Sequence, residues 1–535
     1  MSEVFSYHTF ILPIIWDVPN SKKGIQDKIC TFFDNNPNWK CTDFDDEYSI
    51  NLSIENMTED DAYLLYAEYQ YFNPAARRAM YGLGAGIVHN YCFRPDCVKN
   101  KGQYIIEAKG NKYVLMINAI RLRIYNTGVA LFVLECENIR SAEYHYQNNL
   151  DAVKNINDYG RRISLPFLPR EDSGFYTICA DKLTLSIDGI GVFVSDYMEL
   201  ARKTKTAEDV MHNVSFTHMC DFVKEIMSFG GDCKFTSNPK HVNNKENVFY
   251  IYPAIDDRMF VACVINDETC VEHYTRQDDG KYEYLCEKSN MSKDLYELAF
   301  VDPAGGCSCM HSEMRRELLE KHVYRRWIDY GTITTVANQS LISVSNFAPT
   351  VNSFITQYYQ LCCLCLVQRA SILNFQREAT AVSQTIEKRG KSINAATTAK
   401  ILDLQERFVA FQNQLSFSEV TPQEQGVDLY NMIMESFYIE NEKAALKEQL
   451  ESLYSAANTN LDFTLNKGGT IFAWVACVLS LASFATDLIA VLAFFFSHGD
   501  ENALSKFIFF TAVGVVAAII GFVIGFNLLK YRRKR

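Results

Sequence analysis

Over residues 1–330 the apolar positions keep two rhythms, period two and period three to four, as in a domain that mixes strands with helices. Helical spacing runs over Thr58 to Met80, Val210 to Phe229 and Ser312 to Tyr330. The β-branched and apolar run from Lys112 to Tyr125, a turn at Asn126-Thr127-Gly128 and a second run from Val129 to Cys136 predict a β-hairpin. Further strands are predicted at Val248 to Tyr252 and Met259 to Ile265. The expected fold here is α+β (or α/β), a sheet with covering helices, and no internal repeat or low-complexity tract interrupts it.

The pattern then becomes purely helical. Ser353 to Gln414 contains no proline and a single glycine, Gly390. Thr421, Pro422 and Glu424 read as a capping box with proline at the first helical position. From there Leu429, Ile433, Phe437, Leu446, Leu450, Leu453 and Leu461 mark one stripe. A helix from Pro422 to Asn466 would be roughly 65 Å long at 1.5 Å per residue. Such a stripe must be covered by the preceding helix and by copies of the same chain, which predicts a homo-oligomer.

Beyond that, charge almost vanishes. Ile471 to Phe496 holds one charged residue, Asp487, and Phe507 to Leu529 holds none. Each is long enough for a membrane span, and the polar Ser497 to Lys506 loop between them predicts a helical hairpin. The basic tail Lys530-Tyr-Arg-Arg-Lys-Arg535 places both termini on the cytosolic side of the cell inner (plasma) membrane. The domain expectation is therefore 1–340 as a cytosolic ligand-sensing domain, 341–466 as a helical stalk, 467–530 as two transmembrane helices and 531–535 as a cytosolic tail. Gly521 and Gly525 form a GxxxG that suits close helix approach. Asp487 shares a helical face with Ser480, Ser483 and Thr486, so it either lines a pore or sits at the outer interface. Asp500, Glu501 and Asn502 stand in the loop, as a pore mouth or as ordinary solvated residues.

Composition narrows the partners. A net charge of −12 argues against direct nucleic-acid binding but allows a local basic pocket. The 17 cysteines are spread along the chain, several inside apolar runs, and read as free thiols of a reducing compartment rather than a disulfide frame. Catalytic signatures are absent: no G-x-S-x-G, no H-E-x-x-H and no G-x-x-x-x-G-K-[ST], so an enzyme is not expected. Gly82-Leu-Gly84-Ala-Gly86 follows a helical pattern and reads as a turn. Cys307-Ser-Cys309-Met-His311 offers metal-ligand types without a fourth partner, and a metal ligand set stays unknown. Arg161 and Arg162 follow Gly160 at the end of a predicted helix, and Arg121 and Arg123 alternate on the hairpin. Guanidinium forks suit phosphates and stack on purines, so all four are candidate anion ligands of one pocket. The same arginines would equally serve as partners for some of the 64 acidic residues.

The order of parts resembles the CorA superfamily of divalent-cation channels: a mixed domain, a long helix, two C-terminal apolar segments and a basic tail. Asn458-Thr-Asn460 and Thr470-Ile-Phe472 are similar to that family's approach to its first span. The resemblance implies a homopentamer, first spans lining a pore with Asn460 among the pore residues, and Mg2+ or another divalent cation as the permeant ion. The family's Gly-Met-Asn tripeptide is nowhere in the chain, which puts magnesium selectivity in doubt. Asn157-Asp-Tyr-Gly-Arg-Arg-Ile163, Arg121-Leu-Arg-Ile-Tyr-Asn-Thr-Gly128 and Gln368-Arg-Ala-Ser-Ile-Leu373 look closer to the CorA-like proteins encoded beside type III CRISPR systems. That likeness implies an antiviral membrane effector. A nucleotide second messenger of the S-adenosylmethionine-AMP type would bind the cytosolic domain and open or perturb the bilayer. The alternatives are a divalent-cation channel of the CorA family with an atypical filter, and a non-conducting scaffold.

Overall fold

The computed structural model describes residues 4–17, 25–44, 59–99, 101–164, 178–203, 219–237, 248–286, 290–388 and 395–497, with isolated positions at 206, 208, 209, 505, 508, 509, 512 and 514. Its strands are β1 Val4–Asp17, β2 Trp39–Cys41, β3 Val88–Phe93, β4 Gly102–Ala108, β5 Asn111–Tyr125, β6 Val129–Ile139, β7 Lys182–Ile187, β8 Gly191–Asp196, β9 Lys234–Thr236, β10 Val248–Pro253 and β11 Phe260–Ile265. They continue as β12 Gln277–Asp278, β13 Lys281–Tyr282, β14 Val323–Tyr324, β15 Thr332–Ala337 and β16 Ser340–Ser345. The longer helices are α1 Ile25–Asn35, α2 Glu59–Tyr71, α3 Pro74–Tyr81, α4 Leu150–Gly160, α5 Asp221–Ser228, α6 Glu268–Thr275, α7 Met291–Ala299, α8 Ser312–His322, α9 Tyr359–Lys388, α10 Ala395–Gln414, α11 Glu424–Ser436 and α12 Ile439–Ser497.

One large sheet, with the path β14-β15-β16-β11-β1-β6-β5-β4-β7-β8, organises the first part of the chain. Its centre is the predicted hairpin β5–β6, closed by Gly128 at φ +82°, where a side chain would be strained. β1 lies antiparallel along β6 for most of its length, and β11 pairs parallel with β16. β5 is long enough to take two partners on its other edge. β4 pairs with Asn111 to Ile117, and β3 pairs with Arg121 to Tyr125. Between those two partners a bulge at Ile117/Ala119 breaks the ladder. Phe10, Leu12, Ile120, Leu122, Phe132 and Leu134 fill the main core.

Helices predicted as single pieces are divided where the backbone requires it. Thr58 to Met80 splits into α2 and α3 at Asn73-Pro74, because Asn73 caps α3 through its side chain and Pro74 opens it. Ser312 to Tyr330 is helical only to His322, after which β14 begins. Of Val210 to Phe229, Asp221–Ser228 is helix and 210–218 fall outside the described residues. The continuous helix expected from Pro422 to Asn466 is broken at Tyr438, whose φ is +56°. Pro422 stays outside α11, whose first residue is Glu424, and Thr421 donates to the Tyr71 carbonyl at 2.5 Å while accepting from the Gln423 N–H at 3.2 Å.

By contact the chain forms two compact units, 1–391 with 399–450, and 392–398 with 451–535. Within the first, α9 lies against the hairpin turn: Thr127 and Ser371 share a hydroxyl hydrogen bond at 2.7 Å, and Asn374 donates to the Thr127 carbonyl at 3.0 Å. Phe375, Phe408 and Phe411 interlock α9 with α10.

The membrane expectation requires correction. Among the described residues no helix is long and apolar enough to cross a membrane. The stretch 471–496 is not a helix of its own but the end of the 59-residue α12, whose first turns carry Glu440, Glu442, Lys443, Lys447 and Glu448. The second stretch, 507–529, the loop with Asp500, Glu501 and Asn502, and the tail 531–535 lie outside the described residues, isolated positions aside. A transmembrane, ion-conducting protein with a multi-pass location in the inner membrane is therefore withdrawn.

Candidate functional site

A sheet face covered by helices ordinarily carries apolar side chains. On β5, β6, β3 and β2 one face breaks that rule. Even spacing along each strand puts Arg121 and Arg123, Glu135 and Glu137, Asn90 and Cys92, and Lys40 on the same side. Alternate residues of the same strands, such as Leu122 and Leu134, point into the core. α2, α3 and the segment leading into α9 lie over the polar face and enclose a cavity of about 560 Å³. The β5 bulge borders it, with Asn118 and Ala119 in its wall.

The floor is a chain of mutually engaged groups. Arg121 donates Nε–H to Glu135 at 2.7 Å and keeps a third of its side chain (33%) open towards the cavity. That carboxylate holds the guanidinium well above its usual range. Arg123, 5% exposed, donates to the Gln360 carbonyl oxygen at 2.5 Å and to the Tyr359 hydroxyl at 3.3 Å, with its guanidinium over the Tyr359 ring. Gln360 in turn donates its amide to Glu68 at 2.9 Å, and the Tyr81 hydroxyl donates to the same carboxyl oxygen at 2.7 Å. Burial pushes the Glu68 carboxyl up to about 7, against the lowering pull of the Tyr81 hydrogen bond. Tyr81 stacks on Phe44, ring planes 7° apart, and both rings border the cavity beside the polar floor, each less than a tenth exposed. Lys40, Lys99 and Lys101 also line the cavity and bring cationic charge to it. Such a site suits a ligand that joins an anionic group to a planar ring.

The other predicted pair lies elsewhere. Arg161 caps the end of α4 and is 2% exposed, its fork held by the Val301 carbonyl at 3.0 Å and by Gln339. Arg162 donates to Asp158 at 2.8 Å and faces Arg258 in an isolated bridge. Arg258 is bound by Asp256, while burial and its neighbour Asp256 push the Asp257 carboxyl up to about 6. Among the described residues, the buried Nε–H groups of both Arg161 and Arg162 have no hydrogen-bond partner. The four arginines expected in one pocket are thus divided between two places, and Arg161 and Arg162 do not line the cavity. Sequence reasoning missed Glu68, Tyr81, Tyr359 and Gln360, which come from distant segments. Glu135 and Glu137 are legible in the sequence as polar positions at the end of an apolar strand.

Of the other candidates, Ser480, Ser483 and Asp487 are exposed on α12, and Ser480 donates to the Ala476 carbonyl at 2.8 Å. Asn460 and Thr486 lie in the same helix, with side chains outside the described residues. His311 caps α8 by accepting the Met314 N–H, and among the described residues no cluster of His, Cys, Asp or Glu could hold a metal ion. Gly82, Gly84 and Gly86 all have positive φ and form the predicted turn. No protein family, curated protein or solved structure matches the chain.

Proposed function

We propose that the chain is a sensor of a small nucleotide-type anion, and that the ligand binds in the sheet-face cavity rather than undergoing reaction there. One observation carries this reading: a helix-covered face of the central sheet encloses about 560 Å³ and is lined with ionisable groups where apolar ones would be more stable. Arg121, Lys40 and the neighbouring lysines would take phosphate oxygens, and the Tyr81–Phe44 surface would take a base. The resemblance to CorA-like antiviral effectors supplies the candidate ligand, a messenger of the S-adenosylmethionine-AMP type. A second reading places the ligand at Arg161, Arg162 and Arg258, and the two orphaned Nε–H donors favour it.

Calorimetric titration of the full chain with an S-adenosylmethionine-AMP conjugate, with and without Mg2+, tests both. Arg121→Ala is expected to weaken binding by about tenfold or more, the effect of one charge-assisted hydrogen bond. Full affinity in Arg121→Ala together with loss in Arg161→Ala/Arg162→Ala would move the site to the second cluster. Absence of heat with the wild-type chain would end the nucleotide reading.

A further inference from the structure

We infer that Gln360 is the positioning residue through which the cavity's occupancy is reported to helix α9. The inference rests on the cavity being the ligand site. Gln360 is the second residue of α9, a helix that follows directly on a π-turn, Phe354–Tyr358. A π-turn holds one residue more than an α-turn needs, and such turns persist where surrounding contacts hold them. Ile355 and Thr356 of this turn, with Tyr359 and Gln360, form part of the cavity wall. The start of α9 is therefore itself a piece of the site.

The side-chain amide of Gln360 is 3% exposed and has an acceptor end and a donor end, each already engaged. Its oxygen accepts from Arg123, a group that can only donate; its nitrogen donates to Glu68 and to the Tyr359 hydroxyl, at 2.9 and 2.8 Å. Three elements thereby meet on one amide: β5 through Arg123, α2 through Glu68 and α9 through Gln360 itself. An anion entering the cavity competes for the Arg123 guanidinium. Drawing that fork away leaves the Gln360 oxygen buried without a donor, a state that costs free energy until the amide turns or the turn beneath it re-forms. Arg123 and Arg121 cannot be drawn off by a neutral ligand in this way, so the device distinguishes an anion from an uncharged ring of the same shape. Past Gln360 the helix is anchored on the hairpin turn by Ser371 and Asn374 and on α11 by Gln368, which donates to the Tyr430 hydroxyl at 2.9 Å. A change at the first turn of α9 is thus passed to a helix already tied to its neighbours.

The test measures backbone amide exchange over residues 354–388 with and without the S-adenosylmethionine-AMP conjugate, alongside calorimetry. The wild-type chain is expected to bind and to change exchange in the π-turn and first turns of α9. Gln360→Met, similar in length but without the amide, is expected to keep binding and lose that response. Gln360→Glu, which accepts from Arg123 more strongly and cannot donate to Glu68, is expected to lose it too, and guards against a folding defect peculiar to one variant. Binding with an unchanged exchange response in both folded variants overturns the role of Gln360 and leaves the cavity reading standing. No binding by the wild-type chain overturns both.

Discussion

Two buried titratable side chains in the sheet domain pull stability in opposite directions with pH. Glu68 has its carboxyl raised from 4.5 to about 7 by burial, so the folded state holds a proton that the unfolded state releases. Its contribution is fully present below pH 4.5 and is lost as pH rises towards 7. His8, fully buried between Ser6 and Asn157, is lowered by burial from 6.5 to about 4. The folded state refuses a proton that the unfolded state accepts, so stability is present above 6.5 and is lost as pH falls towards 4. Each shift corresponds to about 3 kcal/mol, and their windows overlap, so they largely cancel. Glu68→Gln removes one side of the balance. Its urea midpoint is expected to rise more steeply between pH 4.5 and 7 than that of the wild-type chain; equal slopes would show that Glu68 ionises freely in the fold. Arg121 and Arg123 were legible at this scale because alternating arginines inside an apolar strand break the hydrophobic rhythm. Glu68 and Gln360 were not, because each lies in a helix where a polar residue every few positions is ordinary.

At the scale of elements, the break between α11 and α12 shows what pattern reading leaves out. The apolar stripe runs on through Phe437, which is 1% exposed, and gives no sign of an interruption. The chain nevertheless turns at Tyr438, which is 63% exposed and held at φ +56°. Phe437 packs edge-on against Phe260 of β11, and Arg369 of α9 lies over its ring, at the point where α11 ends. A non-glycine residue in the left-handed region costs about 1 kcal/mol. Tyr438→Gly is therefore expected to raise the thermal midpoint by about a degree, and Tyr438→Val to lower it. A glycine variant no more stable than the wild type would mean that the Tyr438 ring contributes contacts of equal worth. The hairpin β5–β6, by contrast, was readable, since two β-branched, apolar runs flanking an Asn-Thr-Gly turn are local signals.

At the scale of the whole molecule, several large apolar side chains among the described residues of the second unit are exposed. Phe472, Leu479, Ile489 and Phe494 are each at least 60% exposed, along a helix whose earlier turns are charged. Apolar surface of that extent is expected to be covered by something, and copies of the same chain are the partner proposed here. Sedimentation of the purified full chain should report more than one copy, and Leu479→Lys/Ile489→Lys should shift it towards single chains. Sedimentation as single chains at all concentrations would remove self-association as the cover.

What the sequence determined by itself is whatever depends on neighbours a few residues apart: the mixed strand and helix pattern, the central hairpin, the glycine turn at Gly82 to Gly86, and the long helices. What only the tertiary structure decided depends on packing between distant segments. It joined Arg123 to Gln360 and Glu68 across the fold, parted Arg121 and Arg123 from Arg161 and Arg162, and set the helix breaks. It also made 471–496 the continuation of a charged helix, where hydropathy alone had suggested a span. The reason is the same in each case. Hydrophobic rhythm records which face of an element is buried, but not which other element buries it or whether water and a ligand share the space between them.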